Sequence, residues 1–305
     1  MRKEEFIQVL QADGYITKLY PKYSQAKELK GTIVIFHGMA EHHKRYQTFA
    51  NFLNEHGYDV YLYDHRGHGS DKTITELGFI AKMSGYQILI EDGIEVLSYV
   101  NKHKRTSKII LFAHSMGSLI ARNVISYYNQ LDALILCGTA NPSKVTSIFG
   151  LIASGLTSKL KHAQTPSPFL TKAMFGSKLY TDLSTRTPFD WISRSNSIVD
   201  TYLKDPYCGF PCSSSFIRDI VTLAYHASQK KQILASQKDL PILFISGSKD
   251  PVGAYGKDVT KLVYLYKKLG FSKVNFKLYT DARHELLNEL NASDIMNDII
   301  TWLEA

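Results

Sequence analysis

Six short apolar runs, strung along the chain with helix-length segments between most of them, restrict its fold more than any other feature. They are Thr32-Ile33-Val34-Ile35-Phe36, Tyr58-Asp59-Val60-Tyr61-Leu62-Tyr63, 109–113, 131–137, 240–245 and 274–279. Continuous runs of this kind suit parallel strands covered on both faces, whereas a half-exposed strand would alternate. The intervening segment 86–100 places Ile90, Ile94, Leu97 and Val100 at helical spacing, and 259–269 repeats the pattern. The predicted class is therefore α/β, with a doubly wound, mostly parallel sheet whose ligands sit at the carboxyl ends of its strands. Upstream, 14–30 alternates weakly and predicts an antiparallel edge hairpin.

One interval breaks the rhythm. About a hundred residues separate Cys137 from Leu240, where a single crossover helix needs far fewer. The interval carries Ile148, Phe149, Leu151, Ile152, Phe169, Leu170, Phe175, Trp191, Ile192, Phe210 and Phe216, too much apolar surface for a disordered linker. Pro166, Pro168, Pro188, Pro206 and Pro211 divide it into short pieces. The expectation is a core of 1–140 and 239–305, with an inserted cap of short helices over 141–238 whose apolar residues face the strand ends. A helical embellishment packed elsewhere is the alternative.

Composition narrows the setting. At 305 residues, 44% hydrophobic and 21% charged, the chain can bury a sizeable core. Three cysteines supply no disulfide framework and fit a reducing compartment. The N-terminus lacks a signal-like apolar core and no run is long enough for a bilayer, so a cytoplasmic location is expected. The net charge of +8 is scattered, with short groups such as Lys102-His103-Lys104-Arg105 and Lys267-Lys268. No basic helix with interleaved aromatics appears, so no nucleic-acid partner is expected. The charge reads as a solvated surface, with weak attraction to an anionic membrane surface as the alternative. Nothing in the sequence fixes an oligomeric state.

The run 109–113 ends at a small residue and leads into Ala113-His114-Ser115-Met116-Gly117. Apolar residues at helical spacing (Leu119, Ile120, Val124, Ile125, Tyr128) follow. Strand, sharp turn, helix is the context that lifts a serine hydroxyl above the end of a sheet. A plain serine N-cap after a buried strand is the bland alternative. An alkyl hydroxyl is a poor nucleophile near neutral pH, so Ser115 needs a histidine base and a carboxylate to orient that base. His284 follows the last strand candidate, on the same sheet edge as Ser115. The loop 138–141 contains no acid; the loop after 240–245 contains Asp250, held before Pro251 in extended or turn geometry. Asp281 remains open as a second choice. A tetrahedral intermediate also needs two donors, assigned to the backbone N–H groups of Met116 and of Met39, the latter freed by the turn at Gly38.

With these residues assembled, the chain resembles the α/β-hydrolase superfamily, and within it the monoacylglycerol lipase and lysophospholipase branch, also called the serine aminopeptidase S33-type group. The matching motifs are His37-Gly38-Met39-Ala40-Glu41-His42 with Arg45-Tyr46, and Asp64-His65-Arg66-Gly67-His68-Gly69-Ser70. The serine turn, Gly247-Ser248-Lys249-Asp250-Pro251 and Arg283-His284-Glu285 complete the core set. In the cap, Asp190-Trp191-Ile192-Ser193-Arg194 and Asp205-Pro206-Tyr207-Cys208-Gly209-Phe210 are similar to bacterial members. The order Ser115, Asp250, His284 is the order that superfamily uses. The resemblance implies an α/β-hydrolase fold with an inserted helical cap and a serine carboxylic-ester hydrolase acting through an acyl-enzyme. It further implies a small acyl-ester or lipid substrate, no cofactor, and substrate contacts at His37, Gly38, His114, Trp191 and Phe210. Two positions depart from the pattern, Ala113 and Ser118 standing where glycines are frequent; slightly tighter packing at the turn is expected. His65 and His68, with His42 and His43, lack the cysteine–histidine spacing typical of zinc, so no metal is expected and a loop-shaping role is. Two rival readings stand beside this one. An aminopeptidase-like amide hydrolase would use Asp205 and Asp219 to hold a substrate ammonium, and a non-catalytic ligand-binding protein could share the fold.

Overall fold

The computed structural model of the chain describes residues 5–142, 163–166, 170, 180, 182–183 and 185–305. Its described strands are β1 (Ile7–Leu10), β2 (Ile16–Lys22), β3 (Gly31–Phe36), β4 (Tyr58–Tyr63), β5 (Ile109–His114), β6 (Ala133–Cys137), β7 (Ile242–Gly247) and β8 (Val274–Tyr279). They form one sheet in the order β1-β2-β4-β3-β5-β6-β7-β8. β1 and β2 run antiparallel, as do β2 and β4, and the remaining pairs are parallel. Every residue of β3 through β7 is buried, as their unbroken apolar runs require. β8, at the edge, exposes Asn275, Lys277 and Leu278 and leaves Phe276 half-covered. The two faces still separate with the period of a strand. Val34 and Phe36 enter one core and Ile33 and Ile35 the other.

Helices α1 (Gln47–Glu55), α2 (Gly85–His103) and α3 (Met116–Val124) alternate with the strands. In the insertion come α4 (Asn196–Lys204), α5 (Ser214–Ala227) and α6 (Lys230–Leu234); α7 (Lys257–Lys268) and α8 (Ala292–Leu303) complete the described set. Side chains of α1 and α8 pack on one sheet face, and those of α2, α3 and α7 on the other. This is the mostly parallel, doubly wound architecture that the apolar runs predict, with an edge hairpin placed earlier than expected. The hairpin turns at Gly14, whose φ of +85° suits a glycine, and pairs Leu10 with Ile16. Pro21 lies beyond the stretch of β2 that pairs with β1, where its missing N–H breaks no bond to that strand.

The described part of the insertion divides in two. α5 packs on α2 and α3, and its Phe216, Ile217, Ile220 and Leu223 join the core of that face. The turn Asp190–Ile192 and α4 instead gather Trp191, Ile192, Val199, Tyr202 and Cys208 into a satellite cluster bonded to the strand-end loops. Among the apolar residues on which the cap was read, Ile148, Phe149, Leu151, Ile152, Phe169 and Phe175 lie outside the described residues. No described helix is long and apolar enough to cross a membrane. Cys137, Cys208 and Cys212 are buried and free.

Candidate active site

β5 enters the middle of the sheet and stops at His114. Ser115 follows with φ 50° and ψ −116°, and Met116 begins α3. A positive φ at a residue with a side chain is strain that the surroundings must enforce. They do so at close range: the Ser115 N–H donates to the Cys137 carbonyl at 2.9 Å. A Cβ added to Gly117 would collide with the carbonyls of Phe36 and His37. Ala113, fully buried, is paired between Phe36 and Leu136, and the Ser118 hydroxyl donates to the Ser115 carbonyl at 2.5 Å. Both departures from the frequent glycines thus fit within the elbow, and Ser118 adds a bond to it.

The loops after β7 and β8 converge on this serine. His284 Nε2 lies 2.9 Å from Ser115 Oγ, and its Nδ1 lies 3.0 Å from Asp250 Oδ2. Asp250 is fully buried, and its other oxygen accepts the Val252 N–H at 2.9 Å. Asp281, the second choice from the sequence, faces solvent. Two glycines make the convergence possible. Gly247 abuts the Ala282 and Arg283 carbonyls too closely for any side chain, and at Gly138, with φ +59°, a Cβ would stand 3.1 Å from two atoms of the imidazole. Burial disfavours the charged form of His284. The neighbouring Asp250 carboxylate outweighs burial and raises the imidazole above its ordinary pKa.

The loop after β3 faces the same point. The Met39 N–H has no partner among the described residues, and Met116, first in its helix, has no intrahelical acceptor. The flanking groups are occupied. The Gly38 N–H donates to Glu41 Oε1 at 2.5 Å and the Ala40 N–H to His68 Nε2 at 3.1 Å. The Ala40 carbonyl accepts from the Tyr202 hydroxyl at 3.0 Å and from the Gly209 N–H at 2.9 Å.

Of the five expected ligand contacts, three gather at the triad. A Cβ on Gly38 would lie 3.3 Å from Ser115 Cβ. The rings of His114 and Trp191 lie 4.7 and 5.2 Å from that of His284. His37 is fully buried: its Nδ1 bonds the Gly38 carbonyl at 2.7 Å, and its Nε2 accepts the His65 N–H at 3.0 Å. With both nitrogens used, it braces the loop. Phe210 likewise packs on His68, ring centroids 5.4 Å apart. Asp64 accepts from His43 at 2.7 Å, so the histidines of this region shape the loop.

An ionic network behind the triad was not read from the sequence. Arg45 makes two 2.6 Å bonds to Glu285, the residue after His284, and a third of 2.8 Å to Glu41. Tyr46 donates to Glu41 at 2.8 Å, and the Arg45 guanidinium lies 4.9 Å from the Tyr202 ring centroid. Burial opposes the Glu41 charge, but Arg45 prevails and holds its pKa at about 2. The i,i+4 spacing of Glu41 and Arg45 was a usable signal; Glu285, 240 positions on, left none. Neither of the two acids considered for holding an ammonium is free to do so. Asp205 bonds His42 at 2.8 Å, and Asp219 is buried beside Gly85, burial raising it to about 6.

A hydroxyl bonded to an imidazole that is bonded to a buried carboxylate, with two N–H groups nearby, is equipped for nucleophilic attack on a carbonyl. Known proteins point the same way. A family model described as "Serine aminopeptidase, S33" matches residues 27–291. A monoacylglycerol lipase of Mycolicibacterium smegmatis is 23% identical over 95% of this chain and 94% of its own. A monoglyceride lipase of Mus musculus is 25% identical over 97% and 89% respectively. The structure of a thermostable carboxyl esterase from Bacillus coagulans superposes with a TM-score of 0.84 at 24% identity, covering 98% of this chain and 97% of that one.

Proposed function

The chain belongs to the serine aminopeptidase S33 family and has the α/β-hydrolase fold, and from that premise we propose that it is a serine carboxylic-ester hydrolase of the monoacylglycerol lipase type. The observation that carries the reading is the continuous hydrogen-bonded line from Ser115 through His284 to Asp250. His284 takes the proton of Ser115 as its oxygen attacks the ester carbonyl. The N–H groups of Met39 and Met116 stabilise the oxyanion, and Asp250 fixes the imidazole tautomer. His284 then protonates the departing alcohol, and water attacks the acyl-enzyme with the same base.

The ester and acylglycerol part of the proposal draws on the relatives, which carry the names monoacylglycerol lipase and monoglyceride lipase. Amide hydrolysis with ammonium recognition is disfavoured because Asp205 is already engaged by His42 and Asp219 is buried. The test compares wild type with Ser115→Ala on 1-monoacylglycerols. The expected loss approaches about 10⁶-fold in kcat, with fluorophosphonate labelling abolished. Undiminished ester hydrolysis by the variant would refute the assignment.

A further inference from the structure

Away from the triad, three side chains of different chemistry converge where the turn after α4 meets the loop after β3. They are the imidazole of His42, the carboxylate of Asp205 and the thiol of Cys208, their ligating atoms all within 4.8 Å of one another. His42 Nε2 and Asp205 Oδ2 are 2.8 Å apart. His42 and Cys208 are buried, while the Asp205 side chain remains 29% exposed and gives the cluster a path to solvent. His42 Nδ1 is buried without a hydrogen-bond partner among the described residues, so the present hydrogen bonding leaves this imidazole incompletely satisfied.

We propose that His42, Asp205 and Cys208 form a binding site for one Zn²⁺ ion, a role independent of ester hydrolysis. One nitrogen, one oxygen and one sulfur ligand suit a borderline cation and would leave its fourth tetrahedral position to water. Ligand atoms on a tetrahedral zinc stand about 3.5 Å apart. The cluster therefore needs only small side-chain movements: the His42–Asp205 bond opens slightly and the thiol moves in. On binding, the Cys208 thiol gives its proton to the buffer and the sulfur becomes a thiolate ligand. The nearby Arg45 opposes a second cation, but its charge is already met by Glu41 and Glu285. A bound ion would tie the 205–209 turn, whose Gly209 N–H holds the Ala40 carbonyl, to the loop beside Met39.

The experiment titrates the purified, reduced chain with Zn²⁺ in competition with a chromogenic chelator, and separately with Co²⁺ followed by absorption. One equivalent should bind, and the Co²⁺ form should show a thiolate-to-metal charge-transfer band. Cys208→Ser and Asp205→Asn should each weaken binding by at least about 10-fold, the lower end of what losing even an outer-shell partner costs, with the band absent in Cys208→Ser. Equal affinity in wild type and Cys208→Ser, or a Co²⁺ spectrum without thiolate character in wild type, would overturn the proposal. The wild-type spectrum decides even if a variant fails to fold. Because nothing in the assay requires turnover, its result is separate from that of the Ser115→Ala test.

Discussion

Ser115 and His284 lie 2.9 Å apart, yet what holds each of them differs in kind. The serine sits on backbone geometry: a strained φ, a carbonyl contact to β6 and glycine-only clearance against β3. No charged side chain bonds it. The histidine sits on a loop whose next residue is fastened by Arg45 to Glu41, and whose preceding residue, Arg283, bonds the carbonyls of Asp190 and Ser193. The first arrangement is sensitive to volume and the second to charge. Close packing transmits any added atom directly, whereas a buried ion pair fails when one partner is lost.

The contrast can be broken or sharpened by substitution. Asp250→Asn, which takes the charge from the base, should lower kcat by on the order of 10⁴-fold. The same variant tests the titration. On the proposed mechanism the active form is neutral His284, so activity should fall as pH drops through a pKa raised by Asp250. Removing that carboxylate leaves burial to dominate, so the acid limb of kcat/KM should move to lower pH; a limb moving upward would contradict this account.

Arg45→Met should come next, destabilising by about 3–5 kcal/mol because Glu41 and Glu285 are left buried and unpaired. The urea midpoint reads it, and a loss below about 1 kcal/mol would show that the histidine side does not depend on charge. Gly117→Ala should cost about 3 kcal/mol, the upper end for overpacking, with activity falling in parallel as the elbow is displaced. Retained stability there would break the comparison from the other side. Ser118→Ala removes the elbow's one side-chain bond to the Ser115 carbonyl. It should cost about 1 kcal/mol in thermal or urea unfolding while kcat stays within about fivefold, since a shift of under about 1 kcal/mol in the barrier corresponds to no more.

This difference also explains what the sequence could and could not convey. Strand β4 lies at the residues its apolar run predicts, and β3, β5 and β7 within two residues of theirs, because burial on both faces leaves a local signature; β8, at the edge, also lies where its run predicts. The serine elbow was legible because the strand, the small residues and the helix that form it are contiguous in sequence, although the contacts that enforce it come from β3 and β6. Asp250 and His284 could be read only from their positions after strands. The fastening of Glu285 to Arg45, the clearance for the imidazole at Gly138 and the pairing of Asp205 with His42 depend on contacts between distant segments, which no periodicity records. A histidine in such a loop looks the same in sequence whether it meets a ligand or, as His37 does, bonds the surrounding backbone.

The strained elbow has a consequence for synthesis. Its geometry exists only once β3, β5 and β6 have closed around it, and His284, the proposed base, is encoded 169 residues after Ser115, the proposed nucleophile. A nascent chain emerges N-terminus first, so for most of its translation Ser115 is an ordinary alcohol, inert toward the lipids and metabolites around the ribosome. Reactivity arrives with the last strand, and any partial opening that relaxes the elbow removes it again.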